Sequence, residues 1–213
     1  GILLNNADIN ITSKKTGEST IKETVNGIVK ETFLGYRVVN NVVEEFSNYS
    51  VKASKLGYFS NETNITLNIS KSIILTLLQF PVTILIDCGE LNIPDRVYNL
   101  TRNVNSSGTC FNITSNNIAI IGNGFLVNYS TASKGYGIYV NSSYFSINNV
   151  NLVDNGNSSS AIYLNNSNNG EIDNVDIINR NANSSGVYII GSSDIIRNSK
   201  IKIYGNNSHG IIS

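Results

Sequence analysis

A repeating pattern of apolar residues in the second half of the chain most constrains its fold. Triplets of the form apolar-Tyr-apolar lie at 138–140, 162–164 and 187–189, and a fourth begins at Ile211, so successive repeats are 24, 25 and 24 residues apart. Such a period indicates a solenoid, whose units bury their apolar faces only by stacking on their neighbours. Further apolar positions keep the period: Ile147, Ile172 and Ile196, followed by Leu152, Ile177 and Ile201. Because the runs are short and β-branched, with no helical period, we predict one coil of a parallel β-helix per repeat.

The composition supports an all-β protein with many turns. The chain has 213 residues, of which 40% are hydrophobic, and its 15 Lys and Arg balance its 15 Asp and Glu. A net charge of zero gives no indication of nucleic acid or an anionic membrane as a partner. Since no stretch approaches ~18–20 uncharged apolar residues, no membrane-spanning helix is expected in this chain. We expect no cofactor.

Residues 1–78 have a different pattern, which predicts a separate domain. Alternating or apolar strands are expected at 8–12, 49–54, 64–69 and 72–77, with β-branched runs at 28–29, 38–39 and 42–43. Several short strands about ten residues apart predict a small β-sandwich. Gln79-Phe80-Pro81 suits a boundary because proline has no amide hydrogen and restrains the residue before it. The second domain is therefore expected at 79–213.

Part of the first domain resembles a known type of spacer. The string YSVKASKLGY at 49–58, followed by NITL at 64–67, resembles the carboxypeptidase regulatory-like or PEGA-type sandwich domains of exported proteins. The resemblance implies a spacer or stalk and carries no functional site.

The start of the second domain resembles a known repeat family. Its features are Cys88-Gly89, YNLT at 98–101, SSGTC at 106–110, and an Ile-rich run ending at Asn123-Gly124. They are similar to the first coil of exported right-handed β-helix repeat proteins, which are prominent among archaeal surface proteins. The resemblance implies a fold but not an activity, because such repeats serve enzymes, adhesins and wall proteins alike.

The only two cysteines, Cys88 and Cys110, are separated by 22 residues, which is close to one coil. They would lie on adjacent rungs about 4.8 Å apart, which suits the Cα separation of ~4.4–6.8 Å in a disulfide. We therefore predict a disulfide, with two buried free thiols as the alternative. A metal site is not expected, because His209 is distant. A disulfide would require an oxidising compartment and so favours an extracellular or cell-surface location.

The tyrosines of the repeat are candidate glycan-contact residues. Alternation along a strand places the β-branched residues of each triplet inward and its tyrosine outward. Stacking of the coils then aligns Tyr139, Tyr163 and Tyr188 in one outward column, on which sugar rings could stack. The alternative is aromatic packing between neighbouring strands, worth ~0.2–1 kcal/mol per pair.

Polar residues form further columns. Asp173 aligns with Asn148 and Arg197, and Asp176 aligns with Asn151 and Lys200, which predicts exposed ion pairs that fix the register of the coils. Uronate-cleaving β-helix enzymes also place acids beside Arg or Lys on an outer wall. Asparagines at one turn of three coils predict a side-chain ladder, because Asn tolerates a left-handed backbone: Asn149, Asn174 and Asn198.

The sequon Asn-x-Ser/Thr occurs fourteen times. It indicates either N-glycosylation of an exported surface or incidental matches in asparagine-rich turns. The candidate N-glycosylation sites are Asn61, Asn64, Asn99, Asn105, Asn141, Asn157 and Asn183.

These observations favour a non-catalytic segment of an exported cell-surface protein, a stalk or an adhesive β-helix, whose partner is a carbohydrate or another surface protein. No catalytic residues are identified, since the lone His209, expected at an exposed turn, has no nucleophile or supporting acid nearby. Because Ile211 opens a new coil, we expect a piece of a longer chain. The alternative is a polysaccharide lyase or glycoside hydrolase with its active site mainly on later coils.

Overall fold

The computed structural model describes residues 3–32, 36–45, 47–67 and 72–213, and every regular element in these ranges is a β-strand. The chain divides into two compact units, Gly1–Gln79 and Phe80–Ser213. Across the described ranges, no helix has the length and apolar character needed to cross a bilayer.

The first unit is built from antiparallel strands. One sheet has the order β2-β1-β5-β7, and β3 pairs with β4 and β6 with β8. Ile11, Tyr49 and Val51 are buried in its small core. The strands are β1 (Asp8–Ser13), β2 (Ser19–Glu23), β3 (Tyr36–Val39), β4 (Val42–Glu45), β5 (Asn48–Ser54), β6 (Tyr58–Phe59), β7 (Asn61–Thr66) and β8 (Leu78–Gln79).

Two of the four strands expected in this unit are confirmed as β1 and β5. The third matches β7 only in part, because β7 ends at Thr66 and residues 68 and 69 lie outside the described ranges. The strand expected at 72–77 is wrong, since these residues form no ladder and Ile74 is 89% exposed. Strand propensity reflects the fit to a half-buried sheet, and the backbone of this run pairs with no described strand.

The second unit is a parallel β-solenoid, as the repeat predicts. In each coil the chain passes through three parallel sheets, here called A, B and C, and it completes five coils before β25. Sheet A consists of β10 (Gly89–Leu91), β13 (Phe111–Ile113), β16 (Tyr136–Val140), β19 (Ser160–Asn165), β22 (Ser185–Ile190) and β25 (His209–Ile212). Sheet B consists of β9 (Val82–Leu85), β11 (Arg96–Leu100), β14 (Ile118–Ile121), β17 (Ser146–Asn148), β20 (Asn168–Asp173) and β23 (Ser193–Arg197). Sheet C consists of β12 (Val104–Asn105), β15 (Leu126–Tyr129), β18 (Asn151–Asp154), β21 (Asp176–Asn179) and β24 (Lys200–Ile203).

The register of these sheets confirms the predicted columns. Along one column of sheet A, Ile138 pairs with Ile162, Ile162 with Val187, and Val187 with Ile211. The two later apolar columns are also paired, in sheets B and C. Most of these side chains are buried in one continuous core that runs through the solenoid. The sequence period therefore sets which residues stack.

The left-handed backbone predicted for the asparagine turn is confirmed, whereas the predicted ladder of asparagine side chains is confirmed only in part. Asn149, Asn174 and Asn198 have φ angles of 54°, 54° and 49°, all in the left-handed region. The side chain of Asn174 donates to Asn149 Oδ1 at 3.4 Å. That of Asn198 instead donates to Asp173 Oδ1 at 2.8 Å, so the amide column stops after two members.

Sheet C carries a polar column inside the core, which the sequence did not suggest. Tyr129, Asp154 and Asn179 lie on successive coils and are 0–1% exposed. The Tyr129 hydroxyl donates to Asn179 Oδ1 at 3.1 Å, and Asp154 Oδ1 accepts the amide of Arg180 at 2.7 Å. Burial, with the charge of Asp154 as a second cause, raises the pKa of Tyr129 well above its usual range.

Candidate functional site

The outer face of sheet A carries the predicted tyrosine column. Ile138 and Val140 are completely buried, while Tyr139 between them is half-buried and faces outward. The parallel register pairs Tyr139 with Tyr163, and Tyr163 with Tyr188. On the first-coil side the same column continues through Asn112 to Glu90.

The tyrosine rings pack against one another, as predicted by the alternative of aromatic packing between neighbouring strands. The centroids of Tyr163 and Tyr188 are 5.1 Å apart with an interplanar angle of 3°, and those of Tyr139 and Tyr163 are 5.5 Å apart at 19°. This packing fixes the rings in place but leaves them half-exposed. The column is therefore a continuous, partly apolar strip on the outer face of sheet A.

A fourth ring, Tyr136, joins the column and was missed by the sequence analysis. Its centroid lies 4.7 Å from that of Tyr163 and 5.6 Å from that of Tyr139. Strict alternation from Ile138 would place Tyr136 inward, but Gly137 and Ile138 are both buried in succession, so the alternation is broken. The one sequence signal for this fourth ring is that Tyr136 is aromatic, whereas the aligned positions in the next two coils are Ser160 and Ser185.

The environment of this cluster raises the pKa of two of its hydroxyls. Burial raises the pKa of Tyr136 and of Tyr163, and the neighbouring tyrosines raise both further. Tyr139 accepts a hydrogen bond at its hydroxyl from the Asn165 side chain at 2.9 Å. This hydrogen bond orients the Tyr139 hydroxyl.

An open groove of about 570 Å³ adjoins the tyrosine column at its first-coil end. This volume lies in the range of about 300–1,000 Å³ that is usual for small-molecule sites. The Ser106 hydroxyl donates to the Thr109 carbonyl at 2.8 Å, and Thr109 Oγ1 accepts the amide of Tyr136 at 3.1 Å. The groove is lined by the disulfide, Gly89, Glu90, Ser106, Thr109, Asn112, Tyr136 and Tyr139.

The predicted disulfide is confirmed. Cys88 and Cys110 are bonded with their Cα atoms 4.6 Å apart, and the Gly89 amide donates to the Cys110 carbonyl at 2.9 Å. The bridge therefore fastens the first coil to the next one beside the groove. A disulfide is compatible with an extracellular location.

The charged columns are aligned as predicted, but their contacts differ. Arg197 pairs with Asp173 at 3.5 Å and also with Glu171, which the sequence analysis did not include. Asp176 and Lys200 lie opposite each other, yet these two described residues form no ion pair within 4.0 Å, so that expectation is wrong. Both are exposed, and solvent screening leaves little to hold two long side chains together.

The remaining candidates lie on the surface. His209 is exposed but begins strand β25, which corrects its expected place in a turn. Asn99 is half-buried, and its Oδ1 accepts a hydrogen bond from Asn123 at 2.6 Å. The other six candidate sequon asparagines are exposed: Asn61, Asn64, Asn105, Asn141, Asn157 and Asn183.

Within the described ranges, no group of three or more His, Cys, Asp or Glu side chains is arranged to hold a metal ion. Comparison with known proteins gave no match to a family model, a curated protein or a solved structure. The fold therefore defines the class, a parallel β-solenoid with a disulfide between its first two coils, and the tyrosine column with its groove is the candidate site.

Proposed function

We propose that the solenoid is a non-catalytic, glycan-contacting segment of an exported cell-surface protein. The single observation that carries the proposal is the cluster of four tyrosine rings on sheet A, with centroids 4.7–5.6 Å apart. Each ring is half-exposed, and the carbon surface that its neighbours leave uncovered is the part that would meet the C–H groups of a sugar. Ring packing in the absence of ligand also lowers the entropy lost on binding.

The disulfide and the exposed sequons support the location. A disulfide persists in oxidising compartments, and the six exposed sequons are accessible to glycosylation. Together with the two resemblances, these features favour a right-handed β-helix of the archaeal surface-protein type. In this proposal the antiparallel unit is a PEGA-type sandwich that acts as a spacer.

The test is binding of the purified chain to an array of neutral, basic and acidic glycans, followed by titration of the best ligand. Tyr163 is the central ring, since it contacts the other three tyrosines. We expect Tyr163→Ala to weaken binding about tenfold or more, as for a residue at the centre of an interface. Tyr163→Phe keeps the ring and should bind within a few-fold of the wild type.

Tyr204 supplies the matched control. It is 66% exposed and follows β24, away from the tyrosine column, so Tyr204→Ala should leave binding unchanged. Thermal unfolding of each variant checks that the solenoid is intact. Failure of the wild-type chain to bind any glycan would contradict the proposal, as would equal losses in the Tyr163 and Tyr204 variants.

A second candidate, a carbohydrate-active enzyme, is favoured by one observation. Glu171, Asp173 and Arg197 come together on the outer face of sheet B. Carboxylates beside a guanidinium are what a uronate-cleaving enzyme needs, but here Arg197 already neutralises both acids. Release of unsaturated uronates from polygalacturonate, abolished in Arg197→Ala, would establish this candidate, whereas no release leaves the binding proposal in place.

A further inference from the structure

We infer that the glycan bound by sheet A is basic and carries amino groups, an inference that rests on the proposed function. It comes from the chemistry of the groove at the first-coil end of the tyrosine column. The residues that line this groove supply one carboxylate, two aromatic rings and several hydroxyls, and none of them is cationic.

The carboxylate belongs to Glu90 and is available to a ligand. Glu90 is exposed, and among the described residues its hydrogen-bond partner is the side-chain amide of Asn112, which donates to Oε1 at 3.5 Å. A hydrogen bond of that length is weak. Within the described residues, Glu90 has no ion-pair partner, so its negative charge faces the groove without a counterion.

The orientation of Asn112 leaves Glu90 as the accessible acceptor of this pair. Because the Asn112 Nδ2 atom points to Glu90, its Oδ1 atom is turned away and buried, out of reach of a ligand in the groove. The opposite orientation would place two oxygens against each other. The exposed Glu90 carboxylate therefore calls for a ligand that donates hydrogen bonds.

The aromatic walls favour the same ligand. The faces of Tyr136 and Tyr139 carry the negative part of the ring quadrupole, which attracts an ammonium group. A protonated amino sugar would stack its C–H face on the tyrosine column and direct its ammonium group toward Glu90. A uronate would place its own carboxylate near Glu90 and the ring faces, and both would repel it.

The experiment compares three oligosaccharides of equal length by isothermal titration at about pH 6, where the sugar amines are protonated. The probes are oligomers of glucosamine, of N-acetylglucosamine and of galacturonic acid. We expect the glucosamine oligomer to bind about three- to tenfold tighter than the neutral one, and the acidic oligomer to bind most weakly. Added salt should reduce the first difference.

Two variants locate the effect. Glu90→Gln keeps the shape of an exposed side chain and should bring the Kd values of the basic and neutral oligomers within about twofold of each other. Glu18→Gln removes the same charge from an exposed position in the first unit and should change neither. Because both positions are exposed, the melting temperatures should match that of the wild type.

The outcomes separate the inference from the proposed function. Equal binding of the basic and neutral oligomers, tightest binding of the acidic one, or a basic preference that survives Glu90→Gln would overturn the inference and leave a glycan-binding function standing. Absence of binding to all three oligomers and to the wider array would contradict the proposed function itself.

Discussion

The packing of Phe145 against Gly170 yields the sharpest prediction about the fold. Phe145 is completely buried. A Cβ atom at Gly170 would lie only 2.0, 2.3 and 2.5 Å from three carbon atoms of the Phe145 ring. Favourable carbon contacts need about 3.5–4.0 Å. Gly170→Ala must therefore displace the ring, a neighbouring coil or the strand itself.

The expected cost follows from two opposing effects. Overpacking a well-filled core costs about 1–3 kcal/mol. Replacing glycine by alanine gains about 0.4–1 kcal/mol by restricting the unfolded chain. The free energy of unfolding should therefore fall by about 1–2 kcal/mol. For a chain of this size that corresponds to a lower melting temperature by about 2–8 °C.

The assay is urea and thermal unfolding followed by circular dichroism. The matched control is Gly89→Ala, because a Cβ there meets nothing within 4 Å and the change should be neutral or slightly stabilising. The double variant Phe145→Leu/Gly170→Ala relieves the clash, so its loss should be smaller than the sum of the single losses by about 0.5–3 kcal/mol. Equal effects of the two alanine variants, or strict additivity, would show that a side chain at position 170 does not clash with the Phe145 ring.

Three further predictions concern the disulfide, the buried tyrosine and the surface ion pairs. Replacing Cys88 and Cys110 by serine should cost about 3 kcal/mol in urea unfolding, because the bridge closes a loop of 22 residues; a loss below about 1 kcal/mol would contradict this. Since the folded pKa of Tyr129 lies above its ordinary value of 10.0, the contribution of this residue to the free energy of unfolding should be constant below about pH 10 and fall above it, by about 1.4 kcal/mol per pH unit. Tyr129→Phe should reduce that slope, and an unchanged slope would count against the assignment. Arg197→Ala should cost about 0–1 kcal/mol and lose its effect in high salt, whereas Lys200→Ala should have none; equal, salt-independent losses would exclude the ion pairs as the cause.

The solenoid could be predicted from the sequence because its stability depends on repetition. Each apolar column repeats the period of the chain, so Ile138, Ile162 and Val187 could be aligned without coordinates. The same alignment placed the tyrosine column and the disulfide. Local order in this fold is set by nearest neighbours, which a sequence period records directly.

Features that break the period could not be predicted. Tyr136 joins the tyrosine column because alternation fails at Gly137, and no repeat records that irregularity. The contact between Gly170 and Phe145 depends on a ring that lies outside the strands, next to Tyr144 with its φ of 58°. The acid Glu171 was overlooked because the alignment followed Asp173 alone, although both contact Arg197.

Apolar composition also led to a wrong strand prediction where the backbone pairs with no described strand. The run at 72–77 has the residues of a strand but no ladder in the structure. Similarly, Asp176 and Lys200 share a register but not an ion pair. Register follows from backbone hydrogen bonds, whereas the contact of two exposed side chains depends on their own entropy and hydration.

The most direct test of the central claim is a glycan titration followed by the ring resonances of specifically labelled tyrosines in NMR spectra. We expect the ring resonances of four tyrosines to shift together as glycan is added and to saturate with one Kd: Tyr136, Tyr139, Tyr163 and Tyr188. The signal of Tyr204, which lies outside the tyrosine column, should stay in place throughout. Shifts confined to other tyrosines, or no shift in the tyrosine column at saturating glycan, would contradict glycan binding by the tyrosine column.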